Sequence, residues 1–430
     1  MRKQALRLAY FARGLDGLYL PPVAGCETFG LLRGNSPEEG WSGGMVPAEQ
    51  SLVYRLRGHA DDPYPATGDV LRDSNIGPLL LRRKIGSLLL SSPFTPQVRE
   101  WSRRFGLRIL AAPYEQQQLL ENKLTFDRFL ARHTIPRPDS AIVIAGEPPS
   151  PTARAIRGPV VAQRADSMGG EGTFYLASAA EWPELAGRLQ LPRGERCLMR
   201  QYVEGRPLGI TVFVAPGVVV LSAVRLQCYY PAATDDARRL FAGIQWLKSH
   251  EFSRPLMAGI SAVFQRLGTL LHQRRYFGFA NFDFLVDGGD QVWIIECNPR
   301  MSAATPQLLA NPALSGGAPL GRMFLEGCLT ARKRWPRHVE CTPLPDADYV
   351  GATLDITSLT PAEELVRREY ASGPRRRPEG VIQIFSFAAR GQRAAPETTL
   401  ATILSDFPLY GGRGDLNAAG RRLVREFRYT

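Results

Sequence analysis

The feature that most constrains the fold of this chain is a pair of apolar, β-branched runs between residues 279 and 300, joined by a Gly-rich turn at 287–290. Such a turn between two β-rich runs predicts an antiparallel hairpin. In that hairpin Asp283 lies near Glu296, and Glu296 shares one face with Asn298 because strand side chains alternate with period two. The hairpin is therefore expected to bring two carboxylates and an amide oxygen to one point.

Oxygen ligands of this kind suit Mg²⁺, which binds one or two carboxylates together with substrate phosphates. The alternative is a polar hairpin rim whose acids face water. Apolar neighbours such as Ile294 and Ile295 surround the acids and favour the metal site. The five histidines and six cysteines are scattered without paired spacing, so neither a zinc site nor a disulfide framework is indicated.

A Gly-rich run at 167–173 precedes the hairpin and lies between two predicted strands, 160–163 and 174–177. Glycines without side chains let backbone N–H groups approach phosphate oxygens. The run does not match the Walker pattern, and by itself it is more often an ordinary hairpin turn. Its position before the acidic hairpin favours a phosphate flap. The candidate phosphate contacts are Gly169, Gly170, Gly172 and Thr173.

Lys123 lies in a predicted helix, 115–133, and is one of only five lysines among 53 basic residues. Its ammonium group is a candidate partner for a nucleotide phosphate. The alternative is a solvated helix lysine.

In this order the helix lysine, the Gly-rich flap and the acidic hairpin resemble the ATP-grasp superfamily of enzymes. The segment 198–205 resembles the family's adenine hinge, a strand that ends at a glycine, and the spacing of thirteen residues between Asp283 and Glu296 also fits. The resemblance covers residues 115–330 and implies ATP and Mg²⁺ as cofactors. It implies that the main-chain groups of Gln201 and Val203 contact the adenine.

The resemblance assigns the metal to Asp283, Glu296 and Asn298. It implies that Arg300 lies over the transferring phosphate or the carboxylate, and Arg300 and Lys123 are the candidate catalytic residues.

The chain departs from the family at the flap strand, where the usual lysine is replaced by Gln163 with Arg164 beside it. Gln163 and Arg164 remain candidate ATP contacts, and either Arg164 or Arg225 is expected to supply the missing positive charge. The acidic residue that often holds the ribose after the hinge is also absent, since Arg206 follows Gly205.

The fold class predicted by the resemblance is α/β (α+β), with two β-rich subdomains that clamp ATP and a small α/β domain before them. The predicted units are an N-terminal α/β domain, a subdomain with the flap, a subdomain with the hinge and metal site, and a C-terminal mixed α/β region. Their boundaries are 1–114, 115–195, 196–330 and 331–430.

Further elements follow from local pattern. Strands are predicted at 85–90 and 107–111, on either side of a helix at 97–105 that Thr95 or Ser92 caps. A linker or exposed loop is predicted at 146–158 and a helix at 361–370.

Composition limits the function classes. The net charge of +12 comes with arginine clusters that lack interleaved aromatic residues, which does not favour nucleic-acid binding. No run is long and apolar enough to span a membrane. Arg7, Arg13 and Asp16 interrupt the apolar N-terminal stretch, so a signal peptide is rejected and a cytoplasmic location is expected. A homodimer is left open.

The implied activity is that of a ligase which activates a small-molecule or peptide carboxylate as an acyl phosphate and joins it to an amine. A peptide or amino-acid ligase of natural-product, for example antibiotic, biosynthesis is the favoured type. No general base is identified, and the candidate substrate contacts are Arg225, Arg300 and Ser302. The alternatives are a carboxylase or purine-pathway type of ATP-grasp enzyme, a small-molecule kinase, and a nucleotide-binding module without catalysis.

Overall fold

A computed structural model describes residues 6–11, 19–33, 48–54, 67–167, 172–231, 239–329, 335–358, 364–365, 373–386, 393–394 and 397–429. Residues 168–171 of the predicted flap, with the candidate phosphate contacts Gly169 and Gly170, lie outside the described residues, as does most of the predicted helix 361–370. Glu364 and Leu365, which are described, form a short strand, so the helix prediction is wrong at these two positions.

The N-terminal part of the chain forms a five-stranded parallel sheet with the order β3-β2-β1-β4-β5. Its strands are β1 (Leu6–Phe11), β2 (Cys26–Arg33), β3 (Ser51–Tyr54), β4 (Ser87–Leu89) and β5 (Arg108–Leu110). Its helices are α1 (Thr67–Asp73), α2 (Ile76–Arg82) and α3 (Pro96–Phe105). The predicted strand–helix–strand unit is therefore present, and the Thr95 hydroxyl accepts from the Val98 N–H to cap α3.

The helix predicted at 115–133 is in fact two helices, α4 (Tyr114–Glu121) and α5 (Lys123–Arg132). Asn122 separates them, because its side chain accepts from the N–H groups of Leu124 and Thr125, each at 3.1 Å, and so caps α5. The single-helix prediction is wrong at this point. The break places Lys123 in the first turn of α5, where its side chain is buried.

A four-stranded antiparallel sheet follows, with the order β6-β9-β7-β8. Its strands are β6 (Ser140–Ile144), β7 (Val160–Arg164), β8 (Thr173–Leu176) and β9 (Arg196–Gln201). Two helices accompany the sheet, α6 (Pro151–Ala155) and α7 (Trp182–Arg188). The predicted loop 146–158 thus contains a short helix, which begins where the Ser150 hydroxyl accepts from the Ala153 N–H at 3.2 Å.

The largest sheet has eleven strands, nine of them in the order β15-β14-β10-β12-β13-β17-β22-β20-β19, with β11 beside β10 and β16 beside β11. Along the chain the strands from β10 onward are Gly205–Ala215, Val218–Leu221, Arg225–Pro231, Arg239–Trp246, Gly278–Asp287, Val292–Asn298, Glu340–Cys341, Ala352–Thr357, Glu364–Leu365, Gly373–Arg377, Gly380–Ser386, Arg393–Ala394 and Thr399–Ser405. Of these, β18 and β21 pair only with each other.

Four helices complete the described structure: α8 (Arg254–Gln273), α9 (Thr305–Ala310), α10 (Leu320–Leu329) and α11 (Ala418–Tyr429). Among the described helices, none combines the length and hydropathy needed to cross a membrane. Phe264 of α8 and Phe427 of α11 are buried in the same core. The mixed α/β class predicted from the sequence is confirmed.

The large sheet runs across the predicted boundary at residue 330, because β17 pairs with β13. Gly243 lies at this junction, beside an irregularity in the pairing of β12 with β13, and has a φ of +140°. Tyr410 donates to the carbonyls of Ala242 and Thr353 and fastens the same place. The C-terminal strands therefore extend the central sheet, while the division into four units stays a prediction.

Replacing Gly243 with alanine is expected to destabilise the protein by about 3 kcal/mol or more, because the new Cβ would overlap the Thr353 carbonyl oxygen. The matched control is Gly259→Ala in α8, where a Cβ meets nothing within 4 Å and stability should rise by up to ~1 kcal/mol. Urea unfolding of both variants checks the prediction. Equal stabilities would contradict the tight β13–β17 junction.

Candidate functional site

A cleft of about 290 Å³ lies between the four-stranded sheet and the eleven-stranded sheet. Gln163 and Thr173 line it from the smaller sheet, and the segment 201–203 lines it from the end of β9. Asp283 and Glu296 line it from the larger sheet. This volume is close to the lower end for small-molecule sites. One cleft therefore joins the predicted hinge, the base of the predicted flap and the acidic hairpin.

The hairpin predicted from the sequence is present as β14 and β15, with Asp283 opposite Glu296 and Asn281 opposite Asn298. The register shifts after Asp283, so that Ile295 has no partner residue on β14. The shift leaves the Ile295 carbonyl free to accept from Arg200 at 2.6 Å, which ties the hairpin to β9.

The two carboxylates of the hairpin share one amide. Asn298 Nδ2 lies 3.4 Å from Asp283 Oδ2 and 3.3 Å from Glu296 Oε1. Lys123 Nζ lies 3.3 Å from Glu296 Oε2, and Gln227 Nε2 donates to Asp283 Oδ1. Two acids, one cation and two amides are thus gathered around Asp283, four residues along β14 from Asp287, the partner of Gly205 beside the hinge. The sequence predicts this convergence for Asp283, Glu296 and Asn298.

These surroundings move the pKa values of the two acids apart. Burial and the adjacent charge of Glu296 raise the pKa of Asp283 well above its usual range. Burial also acts to raise the pKa of Glu296, but the Lys123 charge and the hydrogen bonds from its neighbours outweigh it, so that this pKa is lowered. Lys123 therefore compensates the charge of Glu296, and a second cation in the cleft would stabilise the ionised form of Asp283.

The donor set fits Mg²⁺ better than a transition metal. Within the described residues, no three Asp, Glu, His or Cys side chains form a metal-binding group. Two carboxylates alone suit a cation that completes its shell with water and phosphate oxygens. Asn298 turns its nitrogen to the acids and its oxygen to Arg300 Nη2 at 3.0 Å, so its amide must turn over before that oxygen can serve as a ligand.

Arg300 is held beside the acidic end of the cleft. Its Nε donates to Glu121 Oε1 at 2.9 Å, and its Nη2 donates to Asn298. Glu121 is the last residue of α4, so Arg300 connects the helix pair to the hairpin. Its predicted position over the transferring phosphate or the carboxylate stays a prediction.

The flap strand β7 presents its alternate residues to opposite sides. Gln163 is buried and faces the cleft, where its Nε2 lies 3.4 Å from the Thr173 hydroxyl. Arg164 is half exposed and pairs with Glu195 at 2.7 Å, so the structure does not bring it to the cleft. Gly172 ends the predicted flap with a φ of +64°, a conformation that favours glycine.

Two predicted substrate contacts lie outside the cleft lining. Arg225 is buried in the large sheet, where it donates to Thr211 Oγ1 at 3.1 Å and Asn281 Oδ1 at 3.3 Å. Burial lowers its pKa to about 10, with the charge of Asp283 opposing that shift. Ser302 accepts from the Ala304 N–H at 3.4 Å, just before α9. Arg225 therefore contributes positive potential behind Asp283, and the Ser302 hydroxyl contacts the main chain before α9.

Among the cleft residues that sequence reasoning missed are Arg200, Gln227 and Tyr229. Arg200 carried the clearest signal, because it follows Leu198 and Met199 in an apolar strand. An arginine buried in such a strand must find polar partners. Gln227 and Tyr229 belong to β12, which was not predicted as a strand. Burial and the charges of Asp283 and Glu296 raise the pKa of Tyr229 well above its usual value, so its phenol stays neutral.

Asp283→Asn is expected to raise the free energy of unfolding in the absence of divalent cations, by about 1 kcal/mol or more at pH 8. The raised pKa of Asp283 means that its ionisation opposes folding as the pH increases, so the gain should shrink as the pH falls towards 4. Urea unfolding with EDTA at several pH values checks this.

The matched control is Asp287→Asn on the same hairpin. The hydrogen bond from Trp293 lowers the pKa of Asp287, so the control should destabilise the protein at pH 8. An Asp283→Asn variant less stable than the wild type under these conditions would contradict the electrostatics described here.

No family model matches the chain. Among proteins of known function, the large chain of carbamoyl phosphate synthase from Agathobacter rectalis is 22% identical over 282 residues, 64% of this chain. The matched part is 24% of that relative, so the chain spans about a quarter of its length.

Solved structures resemble almost the whole chain. The biotin carboxylase domain of Hydrogenobacter thermophilus 2-oxoglutarate carboxylase, solved with MgADP, ADP and bicarbonate, has a TM-score of 0.67 at 13% identity, covering 99% of this chain and 90% of its own. Biotin carboxylase of Campylobacter jejuni has a TM-score of 0.66 at 11% identity, covering 98% and 91%.

A third solved structure, carboxyaminoimidazole ribonucleotide synthase of Aspergillus clavatus with ATP, has a TM-score of 0.61 at 11% identity and covers 99% of this chain and 100% of its own. At these identities the likeness concerns the fold, and the fold is the one that the flap, the hinge and the acidic hairpin predict. The chain therefore shares its fold with these biotin carboxylases and with carboxyaminoimidazole ribonucleotide synthase.

Proposed function

We propose that this protein is an ATP-dependent, ADP-forming enzyme that activates a carboxylate as an acyl phosphate and passes the acyl group to an amine. The observation that carries the proposal is the single cleft that joins the hinge segment 201–203 to Asp283 and Glu296. The base of a nucleotide and its phosphates require different surroundings. The hinge segment and the acidic pair offer these two surroundings within one cleft. The ligands of the structural neighbours, ATP in one and MgADP in another, support the same assignment.

The hinge end suits the adenine. The Gln201 N–H is occupied by the Asp139 carbonyl at 2.8 Å, and the Tyr202 N–H by the Pro159 carbonyl at 2.9 Å. Val203 lies beyond the last residue of β9 and lines the cleft. We assign adenine recognition to main-chain groups of this segment, with Val203 as the N–H donor.

The acidic end suits the terminal phosphates. Mg²⁺ held by Asp283 and Glu296 would bridge phosphate oxygens and offset the charge that builds up as the phosphoryl group moves. Lys123 and Arg300 are fixed by Glu296 and Glu121, so their positive charges are in place before the reaction. Such preorganised charges stabilise a transition state without reorganisation. The flap residues between Ser167 and Gly172 would exclude water from the acyl phosphate.

The acid and the amine are the open part of the proposal. A peptide or amino-acid ligase of natural-product assembly is the type that the sequence favours. A second candidate is a carboxylase whose acid is bicarbonate, and it is supported by the biotin carboxylases that match the chain over its C-terminal strands as well as its core. The two differ in the acceptor and share the phosphorylation step.

Glu296→Gln is expected to lower ATP turnover at least about a hundredfold while the protein stays folded, because a charged metal ligand is lost. Steady-state ADP release at saturating Mg²⁺ measures the effect. The matched control is Glu326→Gln, which removes a carboxylate from an exposed ion pair with Arg322 and should leave turnover unchanged. Full activity of Glu296→Gln would contradict the metal assignment.

The reaction type is tested by product analysis with a panel of carboxylic acids, bicarbonate included. ADP and phosphate should appear only with a suitable acid, and hydroxylamine should intercept the activated acid as a hydroxamate. Asp283 lies four residues along β14 from Asp287, the partner of Gly205 beside the hinge, and this separation would bring the γ-phosphoryl group rather than the α-phosphorus to the acids. AMP and pyrophosphate as products would overturn the mechanism, and ATP binding without turnover on any acid would favour a module without catalysis.

A further inference from the structure

The flap strand of this chain has glutamine where a lysine is usual, and the cleft contains a buried arginine directly beside that glutamine. Arg200 Nη1 lies 3.3 Å from Gln163 Oε1, and only 2% of the surface of Arg200 is exposed. Both residues line the cleft. The cation that the flap strand lacks is therefore present on the neighbouring strand, β9.

The location of Arg200 along the cleft follows from its contacts. It is bonded within the chain to the hinge residue Gln201, and its Nη1 donates to the carbonyl of Ile295, the residue before Glu296. The guanidinium group thus lies between the hinge end and the acidic end. In a nucleotide that spans the two ends, the phosphates nearest the ribose occupy the middle of the cleft.

The guanidinium group is also incompletely satisfied. Its Nη2 lies 3.4 Å from Asp127 Oδ1, a carboxylate that it shares with Arg137 and with the Ser140 hydroxyl. Its Nε is buried and has no hydrogen-bond partner among the described residues. A buried donor without an acceptor is costly, and an anion in the cleft would satisfy it.

We propose that Arg200 binds a non-terminal phosphate of the nucleotide and, with Gln163 as its partner, takes over the role of the absent flap-strand lysine. The inference rests on the proposed nucleotide site. It assigns a new phosphate contact to a residue that the hinge pattern treats only as part of a strand. It also explains why Arg164 can pair with Glu195 outside the cleft, since the charge is supplied from β9.

The test compares nucleotides that differ in phosphate number, titrated by calorimetry into the full chain with Mg²⁺. Arg200→Met should weaken ATP and ADP at least about tenfold and adenosine by no more than about twofold, because only the phosphates meet the guanidinium group. The matched control is Arg137→Met, which removes the other arginine from Asp127 but lies outside the cleft lining and should change none of the affinities.

A second variant, in which the cation is moved to the flap strand, keeps the test decisive if Arg200→Met alone fails to fold. In the double variant Gln163→Lys with Arg200→Met, the cation moves to the flap strand, and the affinity for ADP should return to within about threefold of the wild type. Equal losses for adenosine and ADP in the Met variant, or an unchanged ADP affinity, would overturn the role of Arg200. A wild type that binds no adenine nucleotide would instead overturn the proposed function.

Discussion

Asp283 and Glu296 face each other across the β14–β15 hairpin, and among the described lysines Lys123 is the one in contact with the pair. Two carboxylates in such surroundings cannot both ionise cheaply without another cation. The rest of the site is arranged around that constraint. Asn298 bridges the acids, Lys123 compensates one of them, and Arg225 supplies positive potential from behind the other.

The fold brings these groups together from four separate segments. The Asn122 cap starts a new helix, and this turns Lys123 inward to Glu296. The hairpin irregularity at Ile295 frees a carbonyl for Arg200, and Arg200 connects the hairpin to β9 and, through Asp127, to α5. These contacts hold the smaller sheet against the larger one. A cleft built in this way has fixed charges at the hairpin and the segment 201–203 at the hinge.

Much of the site could be predicted because its strongest signals are local. Asp283 and Glu296 belong to one hairpin, so alternation and turn chemistry are enough to place them together. Comparison with the family pattern shows that Gln163 stands where a lysine is usual. The sequence, however, assigns the missing positive charge to Arg164 or Arg225. Side-chain alternation on β7 already puts Arg164 on the opposite side from Gln163. The contact with Arg200 depends on β7 pairing with β9, and strand pairing is set by tertiary packing.

The same limit applies to the elements that were misjudged. Helical periodicity continues through Asn122, and only the capping hydrogen bonds decide that the helix breaks there. The C-terminal strands were recognised, but nothing local to them shows that β17 joins β13 in the central sheet. At that junction the Thr353 carbonyl oxygen approaches Gly243 so closely that a Cβ would not fit. This close approach exists only in the assembled sheet.

The central claim is that one cleft holds a nucleotide with its base at the hinge and its metal at the hairpin. A crystal structure tests it most directly. The crystals would contain Mg²⁺ and an ATP analogue with a non-hydrolysable β–γ bridge. The account predicts the adenine against residues 201–203 and Mg²⁺ bound by Asp283 and Glu296. An analogue bound elsewhere, or bound in the cleft with its metal on other residues, would contradict it.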